Sequence, residues 1–167
     1  MIKKLYTVGY ENAALDDFLA TLKAMGIERI IDVRELPLSR KRGFSKNALH
    51  ALLNANDIEY VHLRGLGDPK EGREAARAGN HKKFRQIFSL HMKSDQAQAD
   101  LQSAITFAQA ATSCLLCYER SPDECHRTIV ASAIAAVTEQ EVNPIGIREG
   151  LAKQRRYSPT YPEYAYA

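Results

Sequence analysis

Three short stretches carry side chains able to do chemistry together. The richest is Cys117-Tyr118-Glu119-Arg120, followed shortly by Cys125-His126-Arg127. It offers two thiols, a carboxylate, an imidazole and guanidinium groups. A thiol near cations and a helix N-terminus has its thiolate favoured, which makes it a nucleophile or a redox group. His126 can supply or accept a proton, with Glu119 as its orienting carboxylate. The second stretch is Asp32-Val33-Arg34, then Ser39 and Arg40-Lys41-Arg42. Cations beside exposed backbone N–H groups make an anion site, suited to a phosphate or sulfate. Asp32 either holds Arg34 in a salt bridge or acts as an acid/base. The third is Gly9-Tyr10-Glu11-Asn12.

Blander readings stand beside these. Free cysteine is among the most buried residue types, so Cys125 also reads as core, and His126 as a satisfied core histidine. Cys114 and Cys117 resemble a C-x-x-C pair, but residues three apart on a strand face opposite sides. A zinc site from Cys117, Cys125 and His126 lacks a fourth ligand, and its adjacent Cys-His pair is awkward. No metal ligand is therefore assigned, and the cofactor is left unknown. A reversible Cys117–Cys125 disulfide stays open.

These residues need elements to place them. Leu5–Gly9 is a β-branched run ending at glycine, a first strand. Asn12 is placed to cap the next helix, whose inner face is Leu15, Phe18, Leu19, Leu22 and Met25, with Gly26 as its stop. Arg29–Val33 is a second strand, apolar enough to be buried on both faces. After the basic loop, Ser45 caps a short helix, and Ile58–Leu63 is a third strand. The β-α-β-α-β order predicts parallel pairing with right-handed crossovers. Arg64–Gly79, rich in glycine and charge, reads as a mobile loop with one helical turn and as a lid over the site. Two helices follow, around Phe84–His91 and from about Asp95. Ser113–Tyr118 is a fourth strand. Ser121, Pro122 and Glu124 together mark a helix start, which puts Cys125 and His126 at its fourth and fifth positions, facing inward. Glu141–Ile147 is a fifth strand, which Pro144 confines to an edge. The tail to Ala167 reads as extended.

The expectation is one α/β domain over residues 1–167, a doubly wound, Rossmann-like, mostly parallel sheet of about five strands with helices on both faces. The long crossover from Arg64 to Thr112 places strands one and four side by side, with a switch point between them. Ligands bind at the carboxyl ends of strands there, where all three chemical stretches converge.

Composition narrows the function classes. The 167 residues are 45% hydrophobic and 26% charged, as expected of a globular domain. No apolar run reaches the ~18 residues of a membrane span, and Met1–Leu5 lacks a signal-peptide core. Three cysteines are too few for a secreted disulfide scaffold. A cytoplasmic protein with reduced thiols is expected. The net charge of +3 hides two basic segments, residues 34–46 and 148–156, on an acidic body. A Cys-x5-Arg phosphatase loop, a G-x-G-x-x-G turn and a Walker loop are all absent.

The residues resemble the family called domain of unknown function 488, over about Tyr6–Ile147. Leu115-Leu116-Cys117-x-Glu119-x-x-Pro122-x-x-Cys125-His126-Arg127 fits its pattern throughout. Asp32-Val33-Arg34-x-x-Pro37-x-Ser39 fits a second block, and Thr7-Val8-Gly9-Tyr10-x-Asn12 fits a third loosely. There the family often has His where Tyr10 stands. Leu66-Gly67-Asp68 departs from a Leu-Gly-Gly block at its last position. The resemblance implies a prokaryotic cytoplasmic α/β protein and brings no established reaction.

The function expected is an enzyme acting on an anionic, phosphate-bearing small molecule or nucleotide. Cys117, Glu119, Cys125, His126 and Asp32 would be catalytic. Tyr10, Asn12, Arg34, Ser39, Arg40 and Arg127 would bind the anion. The alternatives are a nucleic-acid-binding module using residues 34–46 and 148–156, with tail tyrosines stacking on bases, and a Cys/His zinc-stabilised interaction domain.

Overall fold

A computed structural model describes residues 2–163. Its five strands are β1 (Leu5–Gly9), β2 (Arg29–Asp32), β3 (Glu59–His62), β4 (Ser113–Cys117) and β5 (Val142–Pro144). They form one sheet in the order β3-β2-β4-β1-β5, and every pair is parallel. The helices are α1 (Leu15–Ala24), α2 (Lys46–Ala55), α3 (Lys70–Arg77), α4 (His81–His91), α5 (Asp95–Ala110), α6 (His126–Thr138) and α7 (Leu151–Gln154).

Alternation along the strands divides the core in two. Tyr6, Val8, Ile30, Cys114 and Leu116 pack under α1 and α2, against Phe18, Leu19, Leu49 and Leu52. Leu5, Ile31, Leu115 and Cys117 pack under α4, α5 and α6, against Phe88, Ile105 and Ile134. Cys114 and Cys117 thus face opposite sides, as their strand spacing requires. The fold is the doubly wound α/β class.

β1 and β4 are neighbours as expected, and β4 also lies against β2. β1 and β2 send their chains to the α1/α2 face, while β4 sends its chain to the α6 face. Both sides of the β4 carboxyl end are therefore switch points. β5 lies at the edge, where its proline costs no ladder bond.

Four local expectations are corrected. Residues 64–79 hold more helix than the single turn expected: they form a 3-10 turn (Arg64–Leu66) and the eight-residue α3. Gly72 and Ala75 are buried there, and small side chains every third residue let a charged helix pack closely. Asn12 does not cap α1; it takes a left-handed φ of 61°, and Ala14 occupies the cap position. Ser45 stands at the α2 cap, but its hydroxyl bonds Ser39 instead. The tail is not extended throughout, since Gly150 and Ala152 N–H groups bind the Asp17 carboxylate and seat α7 on α1. Tyr164 and Tyr166 lie outside the described residues. Among the described residues, no helix is long and apolar enough to cross a membrane.

Candidate functional site

The register aligns Gly9 with Cys117 and Asp32 with both Leu116 and His62. The four strand ends therefore finish at one level, and the loops beyond them share a single edge.

The β4 end is built around sulfur. The helix expected from Ser121 forms only a 3-10 turn (Pro122–Glu124). Cys125 then turns extended, at φ −125° and ψ 142°, and α6 begins at His126. Cys125 and His126 are thus the cap and first residue of α6, not its fourth and fifth positions. Pro122 supplies the tight start, but the capping signals belong to one turn. The Cys125 Sγ accepts the Arg127 backbone N–H at 3.5 Å. It also meets the Cys117 Sγ at 2.09 Å, a disulfide.

Arg127 is fully buried beside this pair. Its Nη1 lies 3.1 Å from the Cys117 Sγ and also donates to the Glu119 carbonyl. Its Nη2 donates to the Arg120 carbonyl at 3.1 Å. The guanidinium clamps the 117–120 turn from below, and burial pulls its pKa down. A lysine has one compact head and cannot span these partners. Arg127→Lys is expected to cost about 2 kcal/mol, since buried carbonyls are left without donors; urea unfolding of the reduced protein measures it.

His126 does not pair with Glu119 as the spacing had suggested. Its Nε2 donates to the Val33 carbonyl at 2.7 Å. A carbonyl only accepts, so Nδ1 carries the lone pair, and it faces the Cys125 Sγ at 3.7 Å. Burial pushes the imidazole down to about 4, so it is neutral at pH 7. Glu119 instead brings Oε2 to 3.4 Å from the Cys117 Sγ, and burial raises its pKa.

A second cluster stands at the β2 end. The Asp32 carboxylate accepts from Arg34 backbone N–H, Nε and Nη2, and from the Tyr60 hydroxyl. Arg34 Nη1 donates to the Phe44 carbonyl and the Tyr10 hydroxyl. Tyr10 stacks on Phe44 at 4.4 Å. The Asp32 contacts hold the Arg34 pKa up despite burial. The geometry is the structural salt bridge, with most of the Arg34 donors already used. Arg40 and Asn12 are exposed, and Ser39 Oγ accepts from Lys41 N–H. The edge therefore gathers Cys117, Glu119, Cys125, His126 and Arg127 around sulfur, and Tyr10, Asp32 and Arg34 in a neighbouring network. It leaves Asn12, Ser39 and Arg40 outside both.

Tyr60, His62 and Asp68 were missed. His62 Nε2 bonds the Arg34 carbonyl at 2.7 Å. His62 ends the third strand, so the convergence rule that picked out the other strand ends extends to it; Tyr60 lies two residues earlier on the same strand. Asp68 is buried, and its Oδ1 has no hydrogen-bond partner among the described residues. Burial, against the pull of Arg73, pushes its pKa from 3.8 up to about 7. The departure from Leu-Gly-Gly at this position was the available signal.

A raised carboxyl pKa means the folded state holds a proton that the unfolded state has lost. Asp68 thus stabilises fully below 3.8, and that contribution is lost as pH rises through about 7. His126 acts oppositely, losing stability as pH falls from 6.5 toward 4. Comparing wild type with Asp68→Asn cancels the histidine. The variant should gain stability relative to wild type between pH 4 and pH 8 in denaturant titrations; parallel curves would mean that Asp68 is ionised throughout.

Comparison with curated proteins and with solved structures finds no match. A family model does match, over residues 14–134. It includes the Asp32 and Leu115–Arg127 blocks, while the Thr7–Asn12 block lies outside it. With most of its length and both principal site blocks matched, the chain belongs to the family described as Domain of unknown function DUF488.

Proposed function

We propose that the protein is a thiol-dependent enzyme acting on an anionic, phosphate-bearing small molecule or nucleotide. One observation carries the reading: two sulfurs touch at a helix N-terminus, beside a buried guanidinium, at the carboxyl edge of a parallel sheet. Cys125 is the attacking thiol, because it caps α6 and is the less enclosed of the two, at 4% exposure against 0%. The helix N-terminus, whose Arg127 backbone N–H reaches its sulfur, favours its thiolate, while the Arg127 guanidinium lies against the Cys117 sulfur. Cys117 is the resolving thiol. With a disulfide-bearing substrate, the Cys125 thiolate forms a mixed disulfide and expels one substrate thiolate. The Cys117 thiolate then attacks the Cys125 Sγ and releases the second. Two electrons pass to the substrate, and the protein is left as its internal disulfide. Arg40, exposed on the loop after β2, and Lys46, exposed at the start of α2, supply charge for the anionic group, and Arg34 anchors that loop. Asp32 positions Arg34.

Alkylation rate against pH tests the reading, together with equilibration in a thiol–disulfide buffer. The reduced pair should oxidise reversibly as one two-electron couple, and Cys125 should alkylate with a pKa well below the usual value of about 8.5. An ordinary thiol pKa with no reversible couple overturns it.

One observation favours a nucleic-acid module as second reading. Both basic segments are anchored on α1, residues 34–46 through Phe44 on Phe18 and residues 148–156 through Asp17. Oligonucleotide affinity that falls steeply with salt and survives Cys125→Ser would favour it over the enzyme.

A further inference from the structure

We infer that the reduced Cys117 and Cys125 thiolates, with His126 Nδ1, form a binding site for a zinc-type divalent cation. The inference rests on the thiol reading only in placing the chemistry at this sulfur pair. The ligand atoms of the three residues all lie within 4.8 Å of one another, and all three residues are buried. No other such His/Cys/Asp/Glu group occurs among the described residues.

Several independent features fit a metal. The Cα atoms of Cys117 and Cys125 are 7.4 Å apart. Disulfides usually span roughly 4.4–6.8 Å between Cα atoms. Two thiolates that each reach about 2.3 Å to a shared ion accommodate the wider span. His126 is oriented as metal-bound histidines usually are. One ring nitrogen donates to a backbone carbonyl, here that of Val33, and the other turns its lone pair to the site. The adjacency of Cys125 and His126, awkward on a continuous helix, is resolved by the extended cap residue. Cys125 lies outside α6 and His126 opens it, so both reach one point. The missing fourth ligand also has a candidate, since Glu119 Oε2 is 3.4 Å from the Cys117 Sγ.

Charge balances as well. Two thiolates neutralise a divalent ion, and Arg127 offsets Glu119. The Arg127 guanidinium against the Cys117 sulfur supplies the outer-shell hydrogen bond that metal thiolates commonly receive. Two sulfurs and one imidazole select zinc over calcium or magnesium. Both sulfurs bind as thiolates, so loading releases the thiol protons still bound at the working pH, two at most, and affinity falls as pH is lowered. The disulfide form cannot bind in this way, which makes metal binding and oxidation mutually exclusive states of one pair.

Cobalt(II) titration of the full chain, reduced with a phosphine, is the test. Cobalt stands in for zinc and reports thiolate ligands by charge-transfer and tetrahedral ligand-field absorption. The expected result is saturation at one ion per chain, with Cys117 and Cys125 losing their reactivity toward alkylation on loading, whereas the buried Cys114 is shielded in either state, and the bands bleached by added zinc. Cys117→Ser and Cys125→Ser should each lose the bands, and His126→Ala, which removes a direct ligand, should weaken binding by more than the roughly 10–100-fold that loss of an outer-shell partner brings. Cys114→Ser should keep them, because that thiol lies on the opposite face of the sheet. No thiolate bands in fully reduced wild type, or bands retained in Cys125→Ser, overturns the inference. Should a serine variant fail to fold, wild-type stoichiometry and thiol protection still decide. Metal binding without a reversible disulfide refutes the redox reading alone; a reversible disulfide without metal binding refutes this one alone.

Discussion

Gly9→Ala is expected to destabilise the protein by about 4 kcal/mol or more, at the far end of single-substitution effects. Gly9 ends β1, and a Cβ there would lie 1.7 Å from the Glu119 carbonyl oxygen and 2.4 Å from its carbon. The obstacle is backbone, not the far end of a side chain, so no rotamer change relieves it. That carbonyl also accepts from Arg127, and the next residues bond the same turn, Tyr10 N–H to Cys117 and Glu11 N–H to Tyr118. Moving the 117–120 turn would break these bonds and pull Cys117 from its partners. Denaturant unfolding measures the cost. Gly146→Ala is the control, since nothing lies within 4 Å of its Cβ position, and it should change stability by less than about 0.5 kcal/mol. Equal effects at the two positions would show that the β1–β4 apposition is not a constraint.

Asp32→Ala should cost about 3–5 kcal/mol, the range for stranding one partner of a buried ion pair. Asp32 is fully buried and Arg34 is 6% exposed. Removing the carboxylate leaves a guanidinium that still bonds Phe44 and Tyr10 but has no counter-charge. The Tyr60 hydroxyl loses its acceptor at the same time. Asp32→Asn should recover part of the loss by returning an acceptor without charge. Glu59→Ala, which breaks the Arg29 pair at a carboxylate that is 67% exposed, should cost no more than about 1 kcal/mol. If the Asp32 and Glu59 variants unfold alike in urea, Asp32 is not the anchor of this edge.

Much of this arrangement was legible in the chain. Apolar runs of four or five residues, broken by glycine and followed by helical spacing, marked β1, β2 and β4, because a doubly covered strand must be apolar on both faces. The parallel sheet followed from the alternation, and the convergence at its carboxyl edge followed from the sheet. The failures share a cause: local signals were extended beyond the turn they govern. Ser121-Pro122 starts a helical turn but does not carry it through Cys125. The glycines and charges of residues 64–79 masked the small buried face of α3. Nothing near Asn12 in the sequence shows that the chain turns left-handed there.

What the sequence determined by itself is the set of elements and the edge on which the reactive groups gather. Backbone periodicity and strand direction decide those, and both are local properties. Which group meets which was decided only by tertiary structure. His126 is fixed by the carbonyl of Val33, ninety-three positions away. Arg34, read as an anion ligand, spends its charge on Asp32 and its donors on Phe44 and Tyr10. The two sulfurs meet because the chain bends at Cys125 and returns over the end of β4. A buried donor or charge takes the partner that packing brings closest, and in a sheet wound in both directions that partner lies far along the chain.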